Sequence, residues 1–242
     1  QGGHFGRDHA GKLDGVLYET ANNMVRSKLP SPTEDEYVAQ IGEGAKDYLA
    51  QGITTANDAA IRDDLDLAAH LRASKENVNP MRMRLMIMHH MLQKHPIYRT
   101  FSAEQMDQYL IDQSNGRTRL DSAKMFQDGS IQGLTGALRE PYYNDQELYG
   151  DYIFDQEFLN EEVADLHKRG YRMAIHGNGD RAIGSILDAY ELALKAYPCS
   201  DHRHRIEHVQ TATVADLDRM QRLNVAGSFF INHVYYWGDR HK

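Results

Sequence analysis

The sequence predicts an α/β fold: a (β/α)8 barrel of alternating parallel strands and helices, present as about six strand–helix units. An apolar run over residues 173–175 ends in His176, and apolar residues recur at helical spacing after a glycine-broken turn. Another short strand ends in His208, 32 residues later (208 minus 176), which is about the length of one unit. Because barrels place their chemistry at the carboxyl ends of the strands, both histidines should lie at one end.

Capping boxes mark the helix starts in the first half of the chain. Thr33-Glu34-Asp35-Glu36 begins one helix and Ser102-Ala103-Glu104-Gln105 begins another, while Gly52 is placed to end the first with positive φ. Residues 1–30 contain many glycines and no regular pattern. The other predictions here are an edge segment over 16–18, surface positions for His4 and His9, a strand over 53–56 ending at Asn57-Asp58, a helix over 62–76, and a strand over 83–87 ending at His89-His90.

The second half continues the same alternation. A long glycine-bearing loop runs from Gln127 to about Gly150, and a loop of this length inside a compact domain is usually functional or mobile. The predicted elements are a strand over 123–126, a helix with Leu159, Val163 and Leu166 that ends at Gly170, the His176 strand and its helix, the His208 strand, a helix from Thr213 to Asn224, and a strand over 225–231 with Asn232-His233 at its end.

No internal boundary or low-complexity linker divides the chain, so we expect a single, partial barrel domain over residues 1–242. A doubly wound open sheet is the alternative. It is disfavoured because no Gly-x-Gly-x-x-Gly follows a first strand, and Gly177-Asn178-Gly179 alone is weak evidence for a phosphate loop.

The composition excludes several classes of function. The net charge of −8 without a basic block argues against a nucleic-acid groove, and no apolar run approaches the roughly 20 residues of a membrane span. The single cysteine, Cys199, fits a reducing compartment, so we expect a cytoplasmic protein. The chain starts at Gln1 without a methionine, and a processed or truncated start would hide a targeting segment. His202 and His241 stand in polar surroundings and are expected to be solvated.

Polar residues stand at most of the predicted strand ends. A histidine taken alone is more often packed or solvated than a ligand. Two neutral imidazoles at matching ends of neighbouring strands, however, suit a divalent metal such as Zn²⁺. The strand-end residues are Asp58, His89 and His90, Lys124, His176, His208 and His233.

Lys124 is unusual because it lies near the end of an apolar strand, where a buried charge is expensive. One interpretation is a side chain that reaches solvent along its stem. Another is a Schiff-base lysine with a lowered pKa. A third is a lysine carboxylated by CO₂, which becomes an anion able to bridge two metals. The residues alone leave all three open.

Four segments carry a family resemblance. Residues 124–143 (KMFQDGSIQGLTGALREPYY) resemble the central motif of amidohydrolase family 3, a branch of the metal-dependent hydrolases. Residues 176–182 (HGNGDRA) and 203–208 (RHRIEH) resemble its next two motifs, and residues 52–58 (GITTAND) resemble its second-strand region. The match is collinear over nearly the whole chain, and the three later motifs together are specific.

The resemblance implies a (β/α)8 barrel with one or two divalent metals, most simply zinc. It further implies hydrolysis, by metal-activated water, of an amide-type C–N bond in a small, non-peptide substrate such as an N-acyl or N-formyl amine. By position, His176 and His208 are metal ligands, Lys124 is the carboxylated bridge, and His233 orients or polarises the substrate. The residues implied to support the imidazoles, the long loop or the substrate are Asp128, Asp180, Arg181 and Glu207.

The sequence also departs from the family pattern. No His-x-His precedes Asp58, where the family has two metal ligands on its first strand, and no eighth-strand Asp follows His233 as the general base. The pair His202 and His204 belongs to the entry of the sixth strand and does not substitute. We therefore expect a segment of a longer protein that does not hydrolyse amides by itself.

Two other functions compete with hydrolysis. One is a non-catalytic barrel relative that acts as a binding protein. The other is a Schiff-base aldolase that uses Lys124, in which His176 and His208 have no clear task. The expected partners are a small-molecule substrate and identical subunits in a homo-oligomer, with no nucleic acid and no membrane.

Overall fold

A parallel sheet of six strands organises the molecule. The computed structural model describes residues 3–18 and 21–240. The order of the strands in this sheet follows the chain without reversal, which is the order of a barrel and not of a doubly wound sheet. The fold class predicted from the sequence is therefore confirmed. The strands are β1 Phe5–Arg7, β2 Leu13–Leu17, β3 Thr55–Ile61, β4 Arg82–Met88, β5 Thr118–Phe126, β6 Met173–Gly177, β7 Arg205–His208 and β8 Ala226–Phe229.

Helices connect the strands of the sheet. They are α1 Ala21–Arg26, α2 Glu34–Ala50, α3 Asp64–Lys75, α4 His89–Lys94, α5 Ala103–Gln113, α6 Gln156–Lys168, α7 Asp180–Ala196, α8 Val214–Leu223 and α9 Asn232–Trp237. Two short 3-10 turns cover Tyr98–Thr100 and Gly238–Arg240. In the part of the chain that the structure describes, none of these helices has the length and apolarity needed to cross a membrane.

The helix ends follow the local sequence closely. The side chains of Thr33, Ser102 and Thr213 each accept a hydrogen bond from the third helical residue, and all three form complete capping boxes. Gly52, two positions after the last residue of α2, has φ of 78°, and Asn224 ends α8 in the left-handed conformation with φ of 55°. These signals involve residues only a few positions apart, which is why the sequence alone predicted them.

Two strand ends differ from the prediction. The fourth residue of β3 is Asp58, which was expected at a strand end; β3 continues because β4 supplies pairing partners as far as Ile87. The predicted strand over 225–231 is shorter, because β8 pairs only with the four residues of β7. His233 consequently lies in α9 and not at the end of a strand.

The N-terminal residues form a separate small hairpin. Strands β1 and β2 pair antiparallel. An edge segment was predicted over residues 16–18; in the structure, the strand at this place is β2, which starts earlier, at Leu13. His4 and His9 are exposed, as predicted.

The two faces of the large sheet carry different side chains. Met125, Ile175 and Ile206 are fully buried in the apolar core, together with residues of the helices. In a parallel sheet, residues paired in register share a face. Phe126 pairs with His176, and His176 pairs with Glu207, so aromatic and polar groups share the face opposite the apolar core.

A cluster of buried, hydrogen-bonded imidazoles lies at the amino-terminal end of the sheet. His204 is completely buried, accepts a hydrogen bond from the Met173 amide at Nδ1 (3.1 Å) and contacts His167 Nδ1 through Nε2 (3.0 Å). His167 Nε2 in turn donates to the Tyr197 carbonyl (2.7 Å). In both His204 and His167, one ring nitrogen donates and the other accepts, so both imidazoles are neutral. Burial lowers the pKa of His204 to about 2.

His202 belongs to the same cluster, and the prediction that it is solvated was wrong. It is 8% exposed, its Nε2 donates to the Leu223 carbonyl (2.9 Å), and its Nδ1 accepts from the His204 amide (3.0 Å). Its polar neighbours in the sequence point elsewhere, which local composition could not reveal. His241, predicted to be solvated like His202, lies outside the described residues.

We expect this cluster to make the fold sensitive to acid. The folded state holds His204 neutral, whereas the unfolded chain protonates it below about pH 6.5, so its contribution is complete above that pH and is lost as the pH falls. The free energy of unfolding should drop by as much as about 1.4 kcal/mol per pH unit between about pH 6 and pH 5. Urea unfolding of the native chain and of His204→Gln measures this. The variant should be less stable near pH 7 but have a shallower acid limb, with the exposed His9→Gln as a control for losing a histidine. An equally steep limb in His204→Gln would contradict the assignment.

Candidate functional site

His176 and His208 meet at the carboxyl end of the sheet. Their ring centroids are 4.6 Å apart, and their planes cross at 71°. His208 pairs with Gly177 and not with His176, so strict alternation would turn the two side chains to opposite faces. The left-handed backbone at His208 (φ 74°) and Val209 (φ 51°) breaks this alternation. Each such residue costs roughly 1–2 kcal/mol, and this kind of strain concentrates at functional sites.

The His176 imidazole has one nitrogen bonded and one free. Nε2 lies 2.8 Å from the Gly129 carbonyl, to which it donates, and 3.0 Å from Asn178 Nδ2, while Nδ1 is buried and has no hydrogen-bond partner. Burial lowers the pKa of His176 to about 3, so the ring is neutral and its 3.4 Å approach to Asp128 is not an ion pair. A histidine that donates one N–H to a carbonyl and keeps the other lone pair free is in the state of a metal ligand.

Lys124 lies on the same face of the sheet, two residues before the end of β5. It is 3% exposed, and its Nζ lies 4.6 Å from the ring centroid of Phe126. Burial lowers the pKa of Lys124 to about 8; Arg205 lowers it further, and Glu207 opposes the shift. The side chain does not snorkel to solvent, so the first of its three interpretations does not apply.

A group of charged side chains around Arg205 lies next to the histidine pair. Arg205 donates from Nε to Glu207 Oε1 (2.5 Å) and from Nη2 to Asp121 Oδ2 (2.7 Å). Arg172 reaches the other oxygen of Asp121 (3.5 Å). Glu207 therefore contacts a guanidinium and not an imidazole, although it neighbours His208 in the sequence.

The Asp128 carboxylate joins the long loop to the turn after β6. It is 1% exposed and accepts three backbone N–H groups: those of Ala137 (2.9 Å) and Gly179 (2.7 Å) at Oδ2, and that of Asn178 (3.0 Å) at Oδ1. The approach requires glycine at 179, because a Cβ there would lie 1.9 Å from the Ala137 carbonyl oxygen. Asp128 thus sets the position of the loop relative to His176.

Asp180 and Arg181 hold the same loop from the start of α7. Asp180 Oδ1 accepts from the Arg139 amide (2.9 Å), and Arg181 Nη2 donates to the Gly150 carbonyl (2.7 Å). The Arg181 guanidinium also lies 4.9 Å from the ring centroid of Tyr152. Both residues contact the loop and not an imidazole.

The other histidines that were predicted at strand ends divide into two groups. His233 is half-buried in α9, and its ring centroid is 6.2 Å from that of His208, so the two share one region of the surface. His89 instead binds Glu162 (2.6 Å), and His90 binds the Arg62 carbonyl (2.8 Å).

Asp58 also has a structural partner away from the histidine pair. Its Oδ2 lies 3.2 Å from His70 Nε2 on α3, and this hydrogen bond holds the pKa of Asp58 below its ordinary value. Asp58 ties a strand to its helix.

An apolar cleft opens beside His176. It has a volume of about 350 Å³, and its walls include Met88, Phe126, Ile153 and Phe154. This cleft was not predicted from the sequence; the available signal was the apolar pair Ile153-Phe154 shortly before α6.

The residues present fit a divalent metal in part. His176 offers a free, buried lone pair and His208 a neighbouring imidazole, and burial lowers the pKa of His208 as well. Within residues 3–18 and 21–240, no three His, Cys, Asp or Glu side chains are grouped so that they could hold a metal. Lys124 is the further candidate, and it would have to be carboxylated to offer oxygen ligands.

Comparisons with known proteins agree on the family and the fold. A family model described as an amidohydrolase family matches residues 1–241. The chain is 26% identical over 231 residues to YtcJ of Bacillus subtilis, which is named as an amidohydrolase, covering 93% of this chain and 40% of that protein. It is 26% identical over 248 residues to the N-substituted formamide deformylase of Arthrobacter pascens, covering 98% of this chain and 43% of that protein. The chain thus spans about two fifths of the length of these relatives.

Two solved structures share the fold. Uncharacterized metal-dependent hydrolases from Pyrococcus horikoshii and Pyrococcus furiosus superpose with TM-scores of 0.74 and 0.71, each at 21% identity. They cover 97% and 95% of this chain, which corresponds to 45% of each of those chains.

We expect Asp128→Asn to release the long loop while leaving the sheet intact. Asparagine keeps the shape, but its amide group would face an N–H donor and leave at least one backbone amide unsatisfied, at about 1–3 kcal/mol. Hydrogen exchange should accelerate at the amides of Ala137, Asn178 and Gly179, which bond to Asp128. Glu147→Gln, an exposed change on the same loop, is the control. Unchanged protection at all three amides would show that Asp128 does not hold the loop.

Proposed function

The chain belongs to the amidohydrolase family, and from this membership we propose that the protein is a metal-dependent hydrolase of a small molecule. The bond it cleaves in this proposal is an amide-type C–N bond outside peptides, such as that of an N-acyl or N-formyl amine. The carrying observation is the buried, unpartnered Nδ1 of His176 beside the ring of His208. The formamide deformylase among the similar proteins supports the reaction class.

In this proposal His176 binds the metal through Nδ1, and His208 binds the same ion. Gly129 fixes the tautomer of His176 by accepting its Nε2 proton, so the lone pair on Nδ1 needs no rearrangement before binding. A divalent ion, Zn²⁺ in our proposal, would act as a Lewis acid that polarises the amide carbonyl and lowers the pKa of a water molecule.

Lys124 is the proposed third ligand, in carboxylated form. Its neutral amine nitrogen would attack the carbon of CO₂: a C–N bond would form as one C=O π bond opens to a carboxylate oxygen, and the nitrogen would lose one proton to solvent. Burial favours this reaction because it lowers the pKa of Lys124 to about 8, which leaves part of the amine unprotonated near neutral pH. The resulting anion would lie opposite neutral imidazoles, which suits a shared cation.

His233 is the proposed substrate-contacting group. Its ring lies near that of His208 but on a separate helix, α9, so it faces the same mouth from outside the strand ends. From there it would donate a hydrogen bond to the amide carbonyl and orient the bond that breaks. The long loop, held by Asp128, Asp180 and Arg181, would keep this region shaped between turnovers.

A non-catalytic binding protein is the second candidate function. The observation that favours it is that no three His, Cys, Asp or Glu side chains in the described part of the chain form a metal-binding group. The two candidates differ in metal content, because only the hydrolase requires a bound ion.

We expect His176→Ala and His208→Ala each to lose metal. Removing one imidazole should weaken binding by more than about 100-fold, since even supporting residues cost 10–100-fold. Elemental analysis of the purified full-length protein measures this. His233→Asn is the matched variant: it should keep its metal and lower kcat/KM. Undiminished metal in both alanine variants would refute the assignment, and metal loss in His233→Asn would make that residue a ligand.

We expect the metal-loaded protein to carry a carbamate on Lys124. With ¹³C-labelled bicarbonate, NMR should show a carbamate carbon that is absent from Lys124→Ala. Lys46→Ala, at an exposed lysine on α2, should leave the signal unchanged. A free amine at Lys124 in an active, fully metallated enzyme would exclude the carbamate and leave the lysine as a hydrogen-bond donor.

A further inference from the structure

The cleft beside His176 has a defined place in the molecule. It lies at the carboxyl ends of β4, β5 and β6, which carry Met88, Phe126 and His176. Residues from both ends of the long connection between β5 and α6 form the rest of its wall. His176 is thus both the best candidate metal ligand and a part of the cleft wall. A group in the cleft would be attached to the part of a substrate that reacts at the histidine pair.

The walls favour an uncharged, apolar occupant. Met88, Phe126, Ile153 and Phe154 supply apolar surface, and none of the described lining residues is a lysine or arginine. An anionic group would lose its water here and gain no cationic partner, which is costly.

Apart from Nδ1 of His176, the polar side-chain atoms of the lining are already engaged. Asp128 is 1% exposed and uses both carboxylate oxygens for backbone N–H groups, so it offers little to a cation. The Ser130 hydroxyl accepts from the Gly133 amide (3.0 Å). The cleft therefore presents few unsatisfied polar groups to a ligand.

The cleft is also rigid and small. The Phe154 ring packs edge-on against His89 (5.2 Å between centroids) and at a 30° tilt against Phe158 (4.9 Å), and the Ile153 amide donates to the Gln127 carbonyl (2.8 Å). A volume of about 350 Å³ is at the lower end for small-molecule sites and suits one ring or a short alkyl chain.

From these observations we propose that the cleft binds an uncharged, apolar substituent of the substrate and thereby selects amides that carry such a group over amides with a charged one. The inference rests on the proposed hydrolase function and adds the substrate class to it. It assigns Met88, Ile153 and Phe154 to substrate specificity.

Binding is tested first, without relying on activity. The full-length, metal-loaded protein is labelled with ¹³C at the methyl groups of isoleucine and methionine and titrated with N-butylformamide. The methyl signals of Ile153 and Met88 should shift, and that of Ile97, exposed elsewhere, should not. The isostere N-(3-carboxypropyl)formamide should bind at least about 10-fold more weakly, in the range that pocket contacts give.

A charge placed at the cleft should invert this preference. Ile153 is 41% exposed, so Ile153→Lys is compatible with folding; it should weaken N-butylformamide about 10-fold and improve binding of the carboxylate. Ile97→Lys, at an isoleucine that is 53% exposed, is the matched control and should change neither affinity.

The two proposals fail in different ways. Amide hydrolysis without shifts at Ile153 and Met88, or with preference for the carboxylate in the unmodified protein, would overturn the cleft assignment and leave the hydrolase. Methyl shifts with the expected preference but no hydrolysis of any amide in the series would retain the cleft as an apolar binding site and count against the proposed reaction.

Discussion

The buried carboxylate of Asp128 is the interaction on which the site depends. Three backbone N–H groups converge on it. Two belong to the turn after β6, and the third, that of Ala137, belongs to the middle of the long loop. The next residue, Gly129, then offers its carbonyl to His176 Nε2. One charge-assisted cluster therefore fixes the loop, and the loop fixes which nitrogen of the imidazole carries the proton.

The charged groups on the face of the sheet opposite the apolar core are buried at an energetic cost. Lys124 and Arg205 are opposed there by Glu207 and Asp121, and burying such groups costs several kcal/mol per ion before their attraction offsets it. Apolar residues of similar volume would stabilise the fold at least as well. Arg205 bridges both carboxylates, so it neutralises Glu207 close to Lys124 without giving up either partner. This arrangement is easier to understand as support for a lysine with altered chemistry than as a contribution to stability.

The sequence predicted what depends on near neighbours and missed what depends on distant ones. The capping boxes at Thr33 and Ser102 and the order of strands and helices were correct because their signals lie within a few residues. The predicted end of β8 was wrong because the length of its neighbour, β7, determines where β8 stops. The burial of His202 and the contact of Glu207 with Arg205 were missed because side-chain direction and packing against distant segments decide them.

The strained turn after β7 shows how three separate segments come to act together. A β-branched residue in the left-handed conformation, Val209, persists only where the surroundings determine it. Here the surroundings are identifiable: Thr211 donates from its amide (3.0 Å) and its hydroxyl (2.8 Å) to the carbonyl of Asn178, whose own amide donates to Asp128. The ends of β5, β6 and β7 are thus joined by one path of hydrogen bonds. The positions of His176 and His208 relative to each other are consequently set by the backbone before any ligand binds, so a metal at this pair would meet a preformed geometry.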